Sequence, residues 1–122
     1  MAFMNVGKPN AKDQCTLYVM KFILDDGRTV HKIGITCVNP VDRMLQVLRS
    51  FFMAYRYMPR ASIKRFRKVD NHFGKETELH HEFAGYKCVF DKVFDGHTEC
   101  FEVDEALILA RYDEMCSGVS SC

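Results

Sequence analysis

Two strand-like runs flank the triplet Asp25-Asp26-Gly27: CTLYVMKFIL before it and RTVHKIGIT after it. A short Asp/Gly link between such runs predicts an antiparallel hairpin, because Gly accepts the positive φ that tight hairpin turns need. With 122 residues the chain has room for one domain and one core, and that core must form on this hairpin. Side chains alternate across a strand. Leu17 and Val19 therefore share one face and Tyr18 takes the other; Ile33 and Ile35 share a face, opposite Lys32, Gly34 and Thr36.

The second run leads through Cys37-Val38 into Asn39-Pro40, a helix start with Asn as N-cap and Pro at the first helical position. Val41, Met44, Leu45, Leu48 and Phe52 follow at helical spacing, with residues 53–61 as a connection. Residues 61–69 read as a third strand. A second helix runs from His72 to about Phe83, ended by Gly85. KCVFDKVF, the Asp95-Gly96 turn and HTECFEV predict a further strand or hairpin, and Asp104 caps a last helix. The expected class is α+β: a small central antiparallel sheet flanked by helices, in the order β-β-α-β-α-β-α. Residues 1–14 read as a loose leader, 15–116 as the domain and 117–122 as a tail.

No apolar run approaches the ~18 residues of a membrane span, and the N-terminus lacks the apolar stretch of a secretion signal. The expected location is the cytoplasm. The six scattered cysteines are then expected to be reduced thiols. A zinc site drawn from His72, His80, His81, Cys88, His97 and Cys100 matches no common finger spacing.

Net charge is +1, an average over a steep gradient. Residues 1–42 are net +1; residues 43–75 carry nine Lys/Arg against Asp70 alone; residues 76–122 carry three against eleven acids. A basic middle third is the footprint of phosphate contacts. His31, Arg49, Lys64, Arg65, Arg67, Lys68 and Lys75 are the candidate nucleic-acid contacts. The plainer alternative is a solvated face paired with the acidic third.

Tyr18, Lys32, Arg43, Glu76 and His80 form the candidate catalytic set. Phosphodiester hydrolysis needs a carboxylate for a divalent metal, a guanidinium for charge developing on phosphate and a group to take the proton of water. Gly34 lets backbone and ligand approach closely. Each residue has a bland counterpart: a packing tyrosine, a surface arginine, a solvated glutamate, a packing or capping histidine.

These residues fall in motifs that resemble the GIY-YIG nuclease superfamily, in the phage-type branch related to the meiotically up-regulated proteins. Leu17-Tyr18-Val19 is similar to its first motif. Lys32-Ile33-Gly34-Ile35-Thr36 with Asn39-Pro40 and Arg43 is similar to the second. Glu76, Leu79, His80 and Phe83 follow, then Glu99-Cys100-Phe101. The resemblance spans residues 17 to about 103. It implies a DNA endonuclease using one divalent metal, Mg²⁺ with Mn²⁺ as a substitute, held by Glu76. Arg43 would stabilise the transition state, and Tyr18 would act as general base or orient the water. Lys32 stands where the superfamily has a second tyrosine, and Cys100 where it has tryptophan. His31 and His80 are alternative proton carriers. DNA is the implied partner, with no separate recognition module unless loops or a homodimer supply one. The competing reading is a binding or inhibitory protein on the same fold, and a third is a purely protein-binding domain.

Overall fold

The computed structural model describes residues 15–117; the expected leader and most of the expected tail lie outside them. The hairpin forms as expected. Strand β1 (Thr16–Ile23) pairs antiparallel with β2 (Thr29–Thr36), with Tyr18 opposite Gly34 and Met20 opposite Lys32. Gly27 takes φ 90° in the turn. Helix α1 (Pro40–Tyr55) follows, then β3 (Arg60–Lys68), α2 (His72–Glu82), the two-residue β4 (Cys100–Phe101) and α3 (Glu105–Ser117). The sheet order is β3-β1-β2-β4, antiparallel throughout. Asn39 caps α1 as its sequence predicts, its side-chain oxygen accepting from Val41 N at 2.8 Å.

Strand alternation gives the sheet two cores. Tyr18, Met20, Phe22 and Val30 face α1, where they meet Val47 and Phe51. Leu17, Val19 and Ile33 face α2 and α3, where they meet Leu79, Phe83, Ile108 and Tyr112. Between Val19 and Met20 the register with β3 slips: Val19 opposes Arg65 and Met20 opposes Ile63, so Lys64 is the extra residue of a bulge.

Three expectations are corrected. The apolar spacing of α1 put its core face on Val41, Met44, Leu45, Leu48 and Phe52. Met44 and Leu48 do pack against the core, beside the buried Val47 and Phe51, while Val41, Leu45 and Phe52 are 50%, 48% and 39% exposed. The helix is apolar over much of its circumference, so periodicity alone leaves the face open. Phe51 decides it by stacking on Tyr55 at 4.7 Å and meeting Phe94 edge-on at 4.9 Å.

The hairpin expected over residues 87–103 is reduced to β4 and one isolated Lys87–Phe101 bridge. Phe90 and Phe94 pack against each other with ring centroids 4.8 Å apart. Four residues of strand would separate them by about 13 Å, so the segment must curl into a loop.

The third correction concerns cysteine. Cys15 and Cys37, expected as thiols, form a disulfide. They flank the Thr16–Thr36 cross-strand pair, which brings their Cα atoms to 4.2 Å. Cys88, Cys100 and Cys116 are free, and Cys122 lies outside the described residues. No helix among the described residues is long and apolar enough to cross a membrane.

Candidate active site

The hairpin register places Tyr18 and Gly34 side by side on the α1 face, with Lys32 one alternation further along β2. Tyr18 and Lys32 are 0% exposed. Lys32 Nζ donates to the Tyr18 hydroxyl oxygen at 2.5 Å and to Glu99 Oε1 at 2.9 Å. Burial works against the ammonium charge, but Tyr18 and Glu99 outweigh it and hold the Lys32 pKa above the ordinary lysine value. Gly34 leaves the space this pair needs: a Cβ there would lie 2.6 Å from Tyr18 Cζ and 2.8 Å from Lys32 Nζ. Gly96, with φ 84°, makes room on the other side, where a Cβ would strike the Lys32 stem.

The first turns of α1 bring in Arg43. Its Nη1 donates to Asp95 Oδ2 at 2.7 Å and its Nη2 to Oδ1 at 3.3 Å. Asp95 above all, with a contribution from Tyr18, raises the arginine pKa further. The Tyr18 oxygen thus accepts from Lys32 and feels the charge of Arg43.

Helix α2 carries Glu76 along the stretch of β2 that the short β4 leaves uncovered. The Glu76 side chain is 16% exposed. Burial, reinforced by the Glu99 carboxylate, pushes its pKa up, against the pull of His80 and Lys32. His80 donates from Nε2 to the Ile33 carbonyl at 2.7 Å, which satisfies an open-edge acceptor of β2. That nitrogen lies 3.9 Å from Glu76 Oε2. With Nε2 engaged this way, His80 orders the strand edge and the Glu76 side chain.

Four expected site residues, Tyr18, Lys32, Arg43 and Glu76, thus converge on the end of β2, with His80 bracing them. Asp95 and Glu99 complete the group and escaped the sequence reading. Asp95 read only as a turn residue, and Glu99 only as the first letter of a strand motif. Cys100, beside Lys32, has its thiol pushed up to about 12 by burial and serves packing.

The expected nucleic-acid contacts do not share one face. His31 is buried against α3, its Nε2 3.2 Å from Glu105 Oε1; burial lowers its pKa, and it is not available to a polyanion. Lys64 lies 3.4 Å from Glu105 and Arg65 pairs with Asp113 at 3.0 Å. Lys75 binds the Asp70 carbonyl and carboxylate. Arg49, Arg67 and Lys68 are exposed. Lys64 and Arg65 are thus matched by acids of the last helix, and Lys75 by Asp70.

A family model described as the T5orf172 domain matches residues 16–116. The chain belongs to the T5orf172 domain family. This is a phage-associated, nuclease-type domain, and the convergent group lies wholly inside the matched span. No curated protein and no solved structure gives a significant match to this T5orf172 chain. Among its described residues no group of three or more His, Cys, Asp or Glu is arranged to hold a metal ion, so the zinc set from the cysteines and histidines does not assemble. A single half-buried carboxylate such as Glu76, next to Glu99, still suits a hard divalent ion that takes its other ligands from water and substrate phosphate.

Proposed function

We propose that this T5orf172 domain is a GIY-YIG-type, metal-dependent endonuclease that hydrolyses DNA phosphodiesters. The observation that carries the reading is the Lys32–Tyr18 hydrogen bond, with the Arg43 charge acting on Tyr18 and the Glu76 carboxylate acting on Lys32. In hydrolysis a water oxygen bonds to phosphorus, an ester P–O bond breaks, and the water gives up a proton. Tyr18 would take that proton as the phenolate, becoming the phenol, and would return it to the departing ester oxygen. Lys32 donates into the same oxygen, so it neutralises charge there. Arg43 stabilises the negative charge that builds on the phosphate oxygens. Glu76 would hold Mg²⁺ or Mn²⁺, which supplies further charge neutralisation on the phosphate when bound. Its raised pKa supports this role, because a bound cation relieves the cost of keeping that carboxylate charged in a half-buried place. Arg49, Arg67 and Lys68, all exposed, extend the contact along the DNA backbone.

A binding module on the same fold is favoured by two observations: Tyr18 is fully buried and Arg43 is already paired. An end-labelled duplex incubated with Mg²⁺ or with chelator, then run under denaturing conditions, separates the two readings. New shorter strands only with metal support the nuclease; an intact but retarded duplex in both supports the binding module.

A further inference from the structure

Asp95 plays no part in the chemistry above, yet it holds the arginine on which that chemistry depends. Both of its carboxylate oxygens accept from Arg43, at 2.7 and 3.3 Å. This two-point pairing is also the way a guanidinium receives a phosphate. The carboxylate is delivered by a built segment. Asp95 N donates to Ser50 Oγ on α1 at 2.8 Å, the adjacent Phe94 is buried against Phe51, and His97 N donates to the Phe94 carbonyl at 3.0 Å. Beside it an open cleft of about 530 Å³, lined by Arg43, Ser50, Asp95 and Glu99, gives the carboxylate somewhere to swing. Arg43 also faces the buried Tyr18 hydroxyl. A phosphate approaching Tyr18 must therefore engage an arginine that already has an anion.

We propose that Asp95 is an internal stand-in for the scissile phosphate, occupying its place on Arg43 until the phosphate of a properly seated DNA displaces it. The identity of the displacing ligand rests on the nuclease reading. Binding at this point is then an exchange of one anion for another. A lone or poorly seated phosphate gains little from the exchange, because it must also break the existing pair. A phosphate held by its neighbours on the exposed cations succeeds. Arg43, already neutralised, releases no counterions on that exchange.

The test uses the full chain and a short labelled DNA duplex, with binding measured by fluorescence anisotropy without metal across a range of salt. Asp95→Asn keeps the shape and the Ser50 bond and removes the charge. The expected result is about two- to fivefold tighter binding, with the slope of log affinity against log salt steeper by about one. Arg43→Ala in the Asp95→Asn background should erase both gains. Ser50→Ala, which loosens the segment without changing charge, should give a smaller gain in the same direction and carries the test if Asp95→Asn fails to fold. Binding by a folded Asp95→Asn that is no tighter than wild type overturns the proposal and makes Asp95 a positioning residue for Arg43. Metal-dependent plasmid nicking is read separately on the same proteins. Tighter binding without nicking by any of them keeps the stand-in and removes the nuclease reading. Nicking without any gain in binding does the reverse.

Discussion

The Lys32 ammonium lies 2.5 Å from the Tyr18 hydroxyl oxygen, and both side chains are fully shut off from solvent. A buried ammonium persists only when paired, and here Glu99 is its second partner. Under the proposed function the pair ties catalysis to stability.

Lys32→Met should therefore lose cleavage while keeping the fold. Its stability cost should be about 1–3 kcal/mol rather than more, because the orphaned Glu99 carboxylate is partly exposed and can be hydrated. The pH dependence follows from the raised lysine pKa. The contribution of Lys32 is complete below the unfolded value of about 10.4 and disappears as pH rises through the folded value. Denaturant melts from neutral to strongly alkaline pH should show wild type losing more stability than Lys32→Met. Parallel losses would show that the lysine gains nothing from its partners.

Gly34→Ala should disrupt the same pair from the backbone side. The new methyl collides with the Tyr18 ring and the Lys32 head, and overpacking of this kind costs about 1–3 kcal/mol. A thermal melt and a cleavage assay together check it: both should fall. An active, equally stable Gly34→Ala protein contradicts the described packing.

Glu76→Gln should separate stability from function. Burial raises the Glu76 pKa, so the folded state binds its proton more tightly than the unfolded one. Stability from that proton is present below the unfolded value and is lost as pH rises toward the folded one. At neutral pH the amide should be as stable as wild type or more so, yet inactive. Added Mg²⁺ should raise the melting temperature of wild type and not of Glu76→Gln. Equal metal shifts in both proteins would place the ion elsewhere.

Glu105 neutralises Lys64 of the basic third together with Lys21. Its carboxyl is held at about 2, chiefly by Lys21 with His31 assisting, and it also lies near Lys64. Glu105→Gln should release those cations, tightening duplex binding at low salt while costing no more than about 1 kcal/mol of stability. That cost should vanish in acid, as pH falls from the ordinary carboxylate range through about 2. Unchanged duplex affinity would mark this as a solvated face with no role in binding.

Reducing the Cys15–Cys37 bridge should lower the melting temperature, because the bridge closes a loop with a sequence separation of 22. The loop-entropy estimate is about 3 kcal/mol. The hairpin register holds the same ends together, so the measured loss should fall below that figure. Thiol titration before and after reduction, paired with melts, gives the comparison with Cys37→Ser.

What was legible in the sequence was local. Asp25-Asp26-Gly27 announced the hairpin, Asn39-Pro40 the start of α1, and strand alternation the opposite placement of Tyr18 and Leu17. The motif spacing singled out Tyr18, Lys32, Arg43 and Glu76, which the fold brings to one end of β2. What was not legible depends on contacts between distant segments. Phe51 overrode the apparent core stripe of α1 through Tyr55 one turn on and Phe94 in a distant loop. Phe90 and Phe94 folded a strand-like run into a loop. Asp95 looked like an ordinary turn residue until the loop laid it on Arg43, and His31 looked like a surface cation until β2 turned it into α3. The Cys15–Cys37 bridge needed the strand register, which spacing alone does not supply.

The central claim is that Tyr18, Arg43 and Glu76 act as one phosphodiester-cleaving site. The most direct test is conversion of supercoiled plasmid by the wild type, Tyr18→Phe, Arg43→Ala and Glu76→Gln proteins, with and without Mg²⁺. The account predicts relaxed or linear DNA from wild type with metal only, and at least a hundredfold slower conversion by each variant, on the order of what one general acid-base or electrostatic group contributes. Conversion that survives any of the three substitutions, or no conversion by a folded, DNA-binding wild type across divalent metals, would contradict it.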